Sequence, residues 1–581
     1  MRTRFLACLT VLAMWVASGT ARAEEVVDVA RLAPETALVW LEIGDPAVIF
    51  DRLFDPALYE RASQTDQMKT YLASEQYRQF QTVVRIVEGR LGVEWQPGLR
   101  ELLGGGVHVS YDPAQEAVLV AVRSKRPELL TALHEAINEL ITSTSQIAGQ
   151  PSPAKSQEYK GRTGWSFAPQ EAHVILGDVL LISNKADALK GAIDRLDDPA
   201  LRSLADVTEF QQARALHSGQ TGWGFARLDA LRQLPNVQAA LNAKSDNPVG
   251  EFLVAGVLDA FKYAPSVTAG LKMESDRAAL SFRLPRDPAQ VSSSRTWFFA
   301  PTPGQAPAPL VVPGAIGSMT VYRDLSGLWA ARDELFNEAI AAQFAQVDAS
   351  FGLFFSGRDF GPEVLGEVDP RMQLVVAGQT FDGQGPTPAI RLPAEALVGE
   401  LHNAEEFYPQ LLAAYQTFVG AINLGNAQNG QPRMLLGAEV HRGVEISTAT
   451  FLPDPGASQT DAPLQFNFSP SFARSGNRFI FGSTVGIVRS CIEALEAPGA
   501  AAPTADNFLL QVDAAAVATA LDANRDLLIS QNMLSEGLTL EQAGERFTAL
   551  LDIVRLLGQG TIRLAEDPQS VTLELSLGAA R

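Results

Sequence analysis

The sequence predicts an α+β protein made of two tandem homologous domains, each a largely antiparallel sheet with helices packed on one face. Three observations lead there. Short apolar runs are joined by tight turns, which favours antiparallel pairing over crossover connections. Helical stripes separate those hairpins. And one strand–turn–strand–helix stretch, His173–Leu196, recurs 299 positions later as FARSGNRFIFGSTVGIVRSCIEAL.

That repeated stretch fixes the reading. Val174–Leu176 and Val179–Ile182 flank Gly177-Asp178, and the later copy has Gly476-Asn477. Glycine next to Asp or Asn supplies the positive φ of a two-residue hairpin. Ser183-Asn184, and Ser483 in the later copy, offer a side-chain oxygen where a helix begins. Leu189, Ala192, Ile193 and Leu196 then share one helical face, and Val488, Cys491, Ile492 and Leu495 repeat it without a gap.

In chain order, Arg2 and Arg4, an apolar run to about Ser18 and Ala21-Arg22-Ala23 read as a signal peptide over residues 1–23, cleaved after Ala23. The product is then exported, periplasmic or extracellular. No later run is long enough to span a bilayer, so no integral membrane segment is expected after cleavage. The first domain covers 24–285. A strand and helix occupy 32–54, an amphipathic segment 57–91, a hairpin 102–123 and a helix Pro127–Leu140. Residues 144–160, rich in Ser, Gln and Pro, read as a loop before the repeated stretch. The strand Gly222–Leu228, helices to Phe261 and a hairpin over 269–284 close the domain. Residues 286–311 carry five prolines by 309 and read as a linker, with Trp297, Phe298 and Phe299 tacking it to a domain. The second domain, 312–581, restarts the order: Asp324 answers Asp45, and Leu551-Asp552 answers Leu258-Asp259.

PETALVWLE at Pro34–Glu42, GDVLLISNKADAL after His173, and RDFGPEVLGEVDPRMQLVV at 358–376 resemble a family of large, internally duplicated, exported bacterial proteins of uncharacterised function. The resemblance covers most of the chain and transfers no catalytic residue.

The formal net charge is −20, and removing the three arginines of the signal peptide makes the remainder more acidic. Such a chain repels phosphate backbones, so nucleic acid is not an expected partner. Cys491 is left as one cysteine without a disulfide partner, matched to Ala192 on a buried helical face. The six histidines show no i, i+3 or i+4 pair, and His134-Glu-Ala-Ile-Asn138 misses the zinc-binding H-E-x-x-H, leaving His134 as a surface residue. Ser152-Pro-Ala-Lys155 with Ser245-Asp-Asn247 imitates penicillin-binding motifs, but prolines interrupt the helix that the chemistry needs. No catalytic, metal or cofactor-binding residue is therefore assigned, and no cofactor is expected.

One echo stands out. Thr163-Gly-Trp-Ser-Phe167 and Thr221-Gly-Trp-Gly-Phe225 each put two aromatics on one strand face. Trp165, Phe167, Trp223 and Phe225 are the candidate ligand platform, with core packing as the commoner use of such residues. The expected function is an exported, non-enzymatic protein of the cell envelope that binds a ligand or a protein partner. An envelope hydrolase with its site between the domains, and a glycan-binding module using the strand aromatics, are the alternatives.

Overall fold

The structure is a computed structural model that describes residues 27–63, 66–301, 305–355, 357–381, 386–452, 461–500 and 502–579. The expected signal peptide lies outside them. The chain forms two compact units: unit 1 is Met1–Leu231 with Ser266–Glu274, and unit 2 is Arg232–Pro265 with Ser275–Arg581.

Among the described residues unit 1 holds nine strands: β1 (Val39–Ile43), β2 (Val107–Asp112), β3 (Ala117–Arg123), β4 (Lys155–Tyr159), β5 (Arg162–Ser166), β6 (Ala172–Leu176), β7 (Val179–Ser183), β8 (Gly222–Arg227) and β9 (Ser266–Met273). They pair in the order β4-β5-β6-β7-β3-β2-β1-β8-β9, antiparallel throughout. Unit 2 holds β10 (Arg277–Pro285), β11 (Ala315–Tyr322), β12 (Val368–Ala377), β13 (Ala394–Leu401), β14 (Met434–His441), β15 (Val444–Phe451), β16 (Ser471–Ser475), β17 (Arg478–Gly482), β18 (Asp506–Asp513), β19 (Leu557–Asp567) and β20 (Ser570–Ala579). Its order is β14-β15-β16-β17-β13-β12-β11-β18-β19-β20-β10, again antiparallel. Each strand of unit 1 thus has a counterpart ten numbers later in the same place of unit 2.

The α+β class and the antiparallel sheet agree with the sequence reading. The helices differ from it, because they cover both faces of each sheet. In unit 1, α1 (Glu75–Leu91), α2 (Trp95–Leu103) and α3 (Pro127–Ile147) lie on one side, where Leu129, Leu133 and Ile137 meet Val122 and Leu180. On the other side α4 (Ala186–Asp197) and α5 (Thr208–Leu216) bring Leu189, Ala192, Ile193 and Phe210 onto Leu119, Val174, Leu181 and Trp223. The reason is local: β7 is apolar at Val179, Leu180, Leu181 and Ile182, so neither of its faces tolerates water. Unit 2 repeats this. There α8 (Ala404–Gln428) covers Leu401, Phe472 and Phe479, and α9 (Val485–Leu495) covers Val398, Ala473 and Ile480; α6 (Pro248–Tyr263) and α7 (Leu325–Leu335) also belong to unit 2.

The turns Gly177-Asp178 and Gly476-Asn477 carry φ of 63° at each glycine, as their chemistry requires. The helix starts depart from expectation. Thr484, not Ser483, caps α9 by accepting from Ile487 N at 3.3 Å, while Ser483 Oγ accepts from Glu395 N at 2.8 Å. In unit 1 Asn184 turns away from α4. Its Oδ1 accepts from Val118 N at 2.8 Å and its Nδ2 donates to Glu116 O at 3.0 Å, pinning the β2–β3 turn.

Residues 286–301 of the expected linker are packed in unit 2. Trp297, Phe298 and Phe299 are buried, as expected of residues that hold the segment down. Arg295 pairs with Glu251 of α6 at 2.6 Å, Ser292 bonds Asp259, and Arg286 reaches Glu566 at 3.3 Å. Phe298 also stacks on Arg323, whose guanidinium carbon sits 3.6 Å from the ring centre. Arg323 itself has no exposed surface. It donates to Asn507 Oδ1, to Phe252 O at 2.6 Å and to Leu253 O at 3.2 Å.

Candidate functional site

The site follows from one hairpin and one helix in unit 1. Strands β4 and β5 meet at Lys160-Gly161, with φ of 48° and 73°, the two positive values of a type I′ turn. The hairpin leans on α4 through its charged tip. Lys160 and the Tyr159 hydroxyl both bond Asp194, and Arg162 forms a two-pronged pair with Asp197 at 2.7 and 2.9 Å. The Lys160 ammonium holds the Asp194 carboxyl below its usual range. Unit 2 fastens the matching hairpin in the same way: Arg442, at φ 49°, pairs with Glu493 of α9 and with Glu496 just past its end.

Between this hairpin, β6 and α4 lies a groove of about 400 Å³. Its floor is Gly164 and Val174, its wall Leu189 and Ile193, and its mouth carries Lys155, Gln157 and Lys190. The space exists because position 164 lacks a side chain. Gly164 pairs with Gln157 on one side and Val174 on the other. The position in the same register of unit 2 is Ile446, which pairs with Glu439 and Ala473 and is completely buried against α9. Across the mouth of that second hairpin Arg489 forks onto Glu439, with Nε 2.6 Å from Oε1. Unit 1 has Lys190 and Gln157 at these two places. One unit is filled and latched where the other is open.

The four aromatics of the expected platform are divided between the faces of the unit 1 sheet. Trp223 and Phe225 are 7% and 2% exposed and belong to the core beneath α4 and α5, where Trp223 lies parallel to His217 at 6.0 Å. Trp165 and Phe167 are half-buried in the cluster under α3, both against His134, at 5.0 and 5.5 Å between ring centres. Trp165 also borders the groove. His134 corrects its sequence reading: it is 2% exposed, because α3 rotates it onto these two rings. The Ser245-Asp-Asn247 stretch caps a helix, Asn247 Oδ1 accepting from Gly250 N at 2.9 Å. Among the described residues no three His, Cys, Asp or Glu side chains gather as a metal site, and no helix is long and apolar enough to cross a membrane.

Burial and neighbouring groups displace the titration of Cys491 and Glu42 in opposite directions. Cys491 is fully buried on the inner face of α9, and burial pushes its thiol up to about 12. It is expected to resist thiol reagents in the native protein and to react fully in denaturant, as an absorbance assay would read. Glu42 on β1 is the second. Burial alone would raise it, but His108 Nδ1 at 3.4 Å and the Trp40 Nε1 bond at 3.3 Å outweigh burial and hold the carboxyl below its usual range. A depressed folded value means stability that is present above the unfolded value and lost as pH falls through the folded one. Glu42→Gln is therefore expected to lose less of its stability than the parent when urea midpoints are followed downward through that acid range.

No family model matches the chain, and no curated protein matches it. Among solved structures it is similar to crystal forms of TP0453. Form I is 12% identical, covering 44% of this chain and 78% of that one, with a TM-score of 0.23. Form IV is 10% identical over 45% and 81%, with a TM-score of 0.24. Form III is 11% identical over 45% and 80%, at 0.22. TM-scores this low carry no argument about function.

Proposed function

We propose that this chain is an exported, non-enzymatic binding protein of the cell envelope or periplasm, built from two diverged copies of one α+β unit, and that it takes a ligand in the groove of unit 1. The observation that carries this reading is the contrast at one register position, Gly164 over an open groove against buried Ile446. A space kept in one copy and closed in the other has the size and the mostly apolar lining of a small-molecule site. The shared strand order, the paired turns at Gly177 and Gly476 and the matched hairpin clamps support the duplication. Arg2, Arg4 and the apolar run ending in Ala21-Arg22-Ala23 support export.

Native mass spectrometry of the mature protein, purified gently from its own envelope fraction, tests the reading. A bound species that disappears in Gly164→Ile supports it. A bare chain at its calculated mass, or a bound species indifferent to that substitution, removes the groove as the site.

A further inference from the structure

We infer that the groove of unit 1 binds a carboxylate amphiphile, with its apolar chain over Gly164 and its carboxylate at Lys155 and Lys190. The inference rests on the groove being a ligand site and adds the chemistry of what it holds.

The interior selects the apolar part. Val174, Leu189 and Ile193 present only hydrocarbon, and a volume of about 400 Å³ lies toward the small end of the range for ligand pockets. A chain laid there would cover apolar surface that Ile446 covers in unit 2 with protein atoms.

The mouth selects the charge. In a chain of net charge −20 lysine is scarce, and none follows Lys272. Two lysines nevertheless border this one groove. At the matching place in unit 2 the cation, Arg489, is neutralised across the mouth by Glu439. In unit 1 that acid is replaced by Gln157, which is neutral. The carboxylates near Lys190 are already placed. Asp187 pairs with it along the helix surface at 3.0 Å, and Asp194 is held by Lys160 and Tyr159. Gln157 cannot bridge the mouth as Glu439 does, so a ligand carboxylate would take that place between Lys155 and Lys190, displacing only the exposed pair of Lys190 with Asp187.

The space can also be closed without breaking the fold. A Cβ at Gly164 would meet Gln157 O at 3.6 Å and His173 O at 3.8 Å, ordinary contact distances, and the backbone there is not in the left-handed region. Isoleucine suits a strand, and its remaining atoms would occupy the groove.

The test is calorimetric titration of the full mature chain with decanoate, decanol and decyltrimethylammonium, each below its aggregation threshold. Decanoate is expected to bind at one site, weaken as salt is raised, and lose about tenfold in affinity in Lys155→Gln/Lys190→Gln, decanol binding being weaker and unaltered by that pair. Gly164→Ile is expected to abolish binding. Ala186→Trp, placed on the exposed helical lip of the groove, does the same should the strand variant fail to fold. If decanol or the cation binds as tightly as decanoate, or the double variant changes nothing, the carboxylate assignment is overturned while the groove stands. If none of the three binds, or binding survives both closing variants, the groove reading falls as well.

Discussion

Arg323→Ala is expected to destabilise unit 2 by about 3–5 kcal/mol, the usual cost of removing one member of a buried charged network. The side chain has no exposed surface, and burial pushes its guanidinium down to about 9, so it stays charged near neutrality. It links three pieces of chain that are distant in sequence. Its donors satisfy the carbonyls of Phe252 and Leu253 in α6 and the Asn507 side chain on β18, and its plane stacks under Phe298 of the packed 293–298 turn. Asn507 in turn donates to Phe298 O at 2.8 Å and Glu566 at 3.3 Å. Alanine would remove the donors that reach Phe252 O, Leu253 O, Tyr322 O and Asn507 Oδ1 and leave a cavity beside Phe298. A lysine has too few donors to restore the fork, so Arg323→Lys should recover little. Urea titration measures the loss, and hydrogen exchange over α6 and residues 293–298 locates it. A shift no larger than that of an exposed arginine would show that the network is dispensable.

Trp223→Ala is expected to cost unit 1 about 3–5 kcal/mol as well, by the cavity it leaves. Trp223 lies on β8 between β1 and β9, opposite Glu42 and Gly270, and packs against Phe210 and His217. The glycines beside it are needed for close approach: a Cβ at Gly224 would sit 2.9 Å from Leu41 Cδ2, and one at Gly222 would sit 2.9 Å from Glu42 O. The Thr-Gly-Trp-Gly-Phe sequence is therefore a packing device in its second occurrence. A glycan platform would behave oppositely, with unchanged stability and lost affinity for cell-wall sugars. Thermal unfolding followed by tryptophan emission separates the two.

These particulars show what the sequence made legible. The turn at Gly177-Asp178, the stripe Leu189–Ile193 and their later copies are local chemistry, and they stand where the pattern put them. The groove was not legible, for two reasons. Its outer wall, β4, is an edge strand with four consecutive exposed residues, Lys155 to Glu158, so apolar alternation is absent and composition alone suggests a loop. Its floor is a missing side chain, visible only when Gly164 is set beside Ile446 through strand pairing. The clue lay inside Thr163-Gly-Trp-Ser-Phe167, in the glycine rather than in the aromatics. Proline and serine made 286–301 look like a tether, and its burial depends on Arg286, Arg295 and Phe298 finding partners far away in sequence. His134 was misplaced because one histidine on a helix reveals nothing of the rings that its neighbours in space supply.

The pairing of β10 with β20 sets a constraint on the order in which this protein can be made. Strand β10 is synthesised almost three hundred residues before β20, yet each of its nine residues, Arg277 to Pro285, pairs with that strand. Until β20 has been made, β10 has no partner on that side and offers an uncovered hydrogen-bonding edge. Helix α6, emerging earlier still, waits for the same strands, since it packs on β10 and β20. Such long-range closure slows folding and prolongs exposure of the unpaired edge. A nascent chain of this design depends on being kept extended until β20 arrives, and termination before residue 570 would leave unit 2 without the strand that joins β19 to β10.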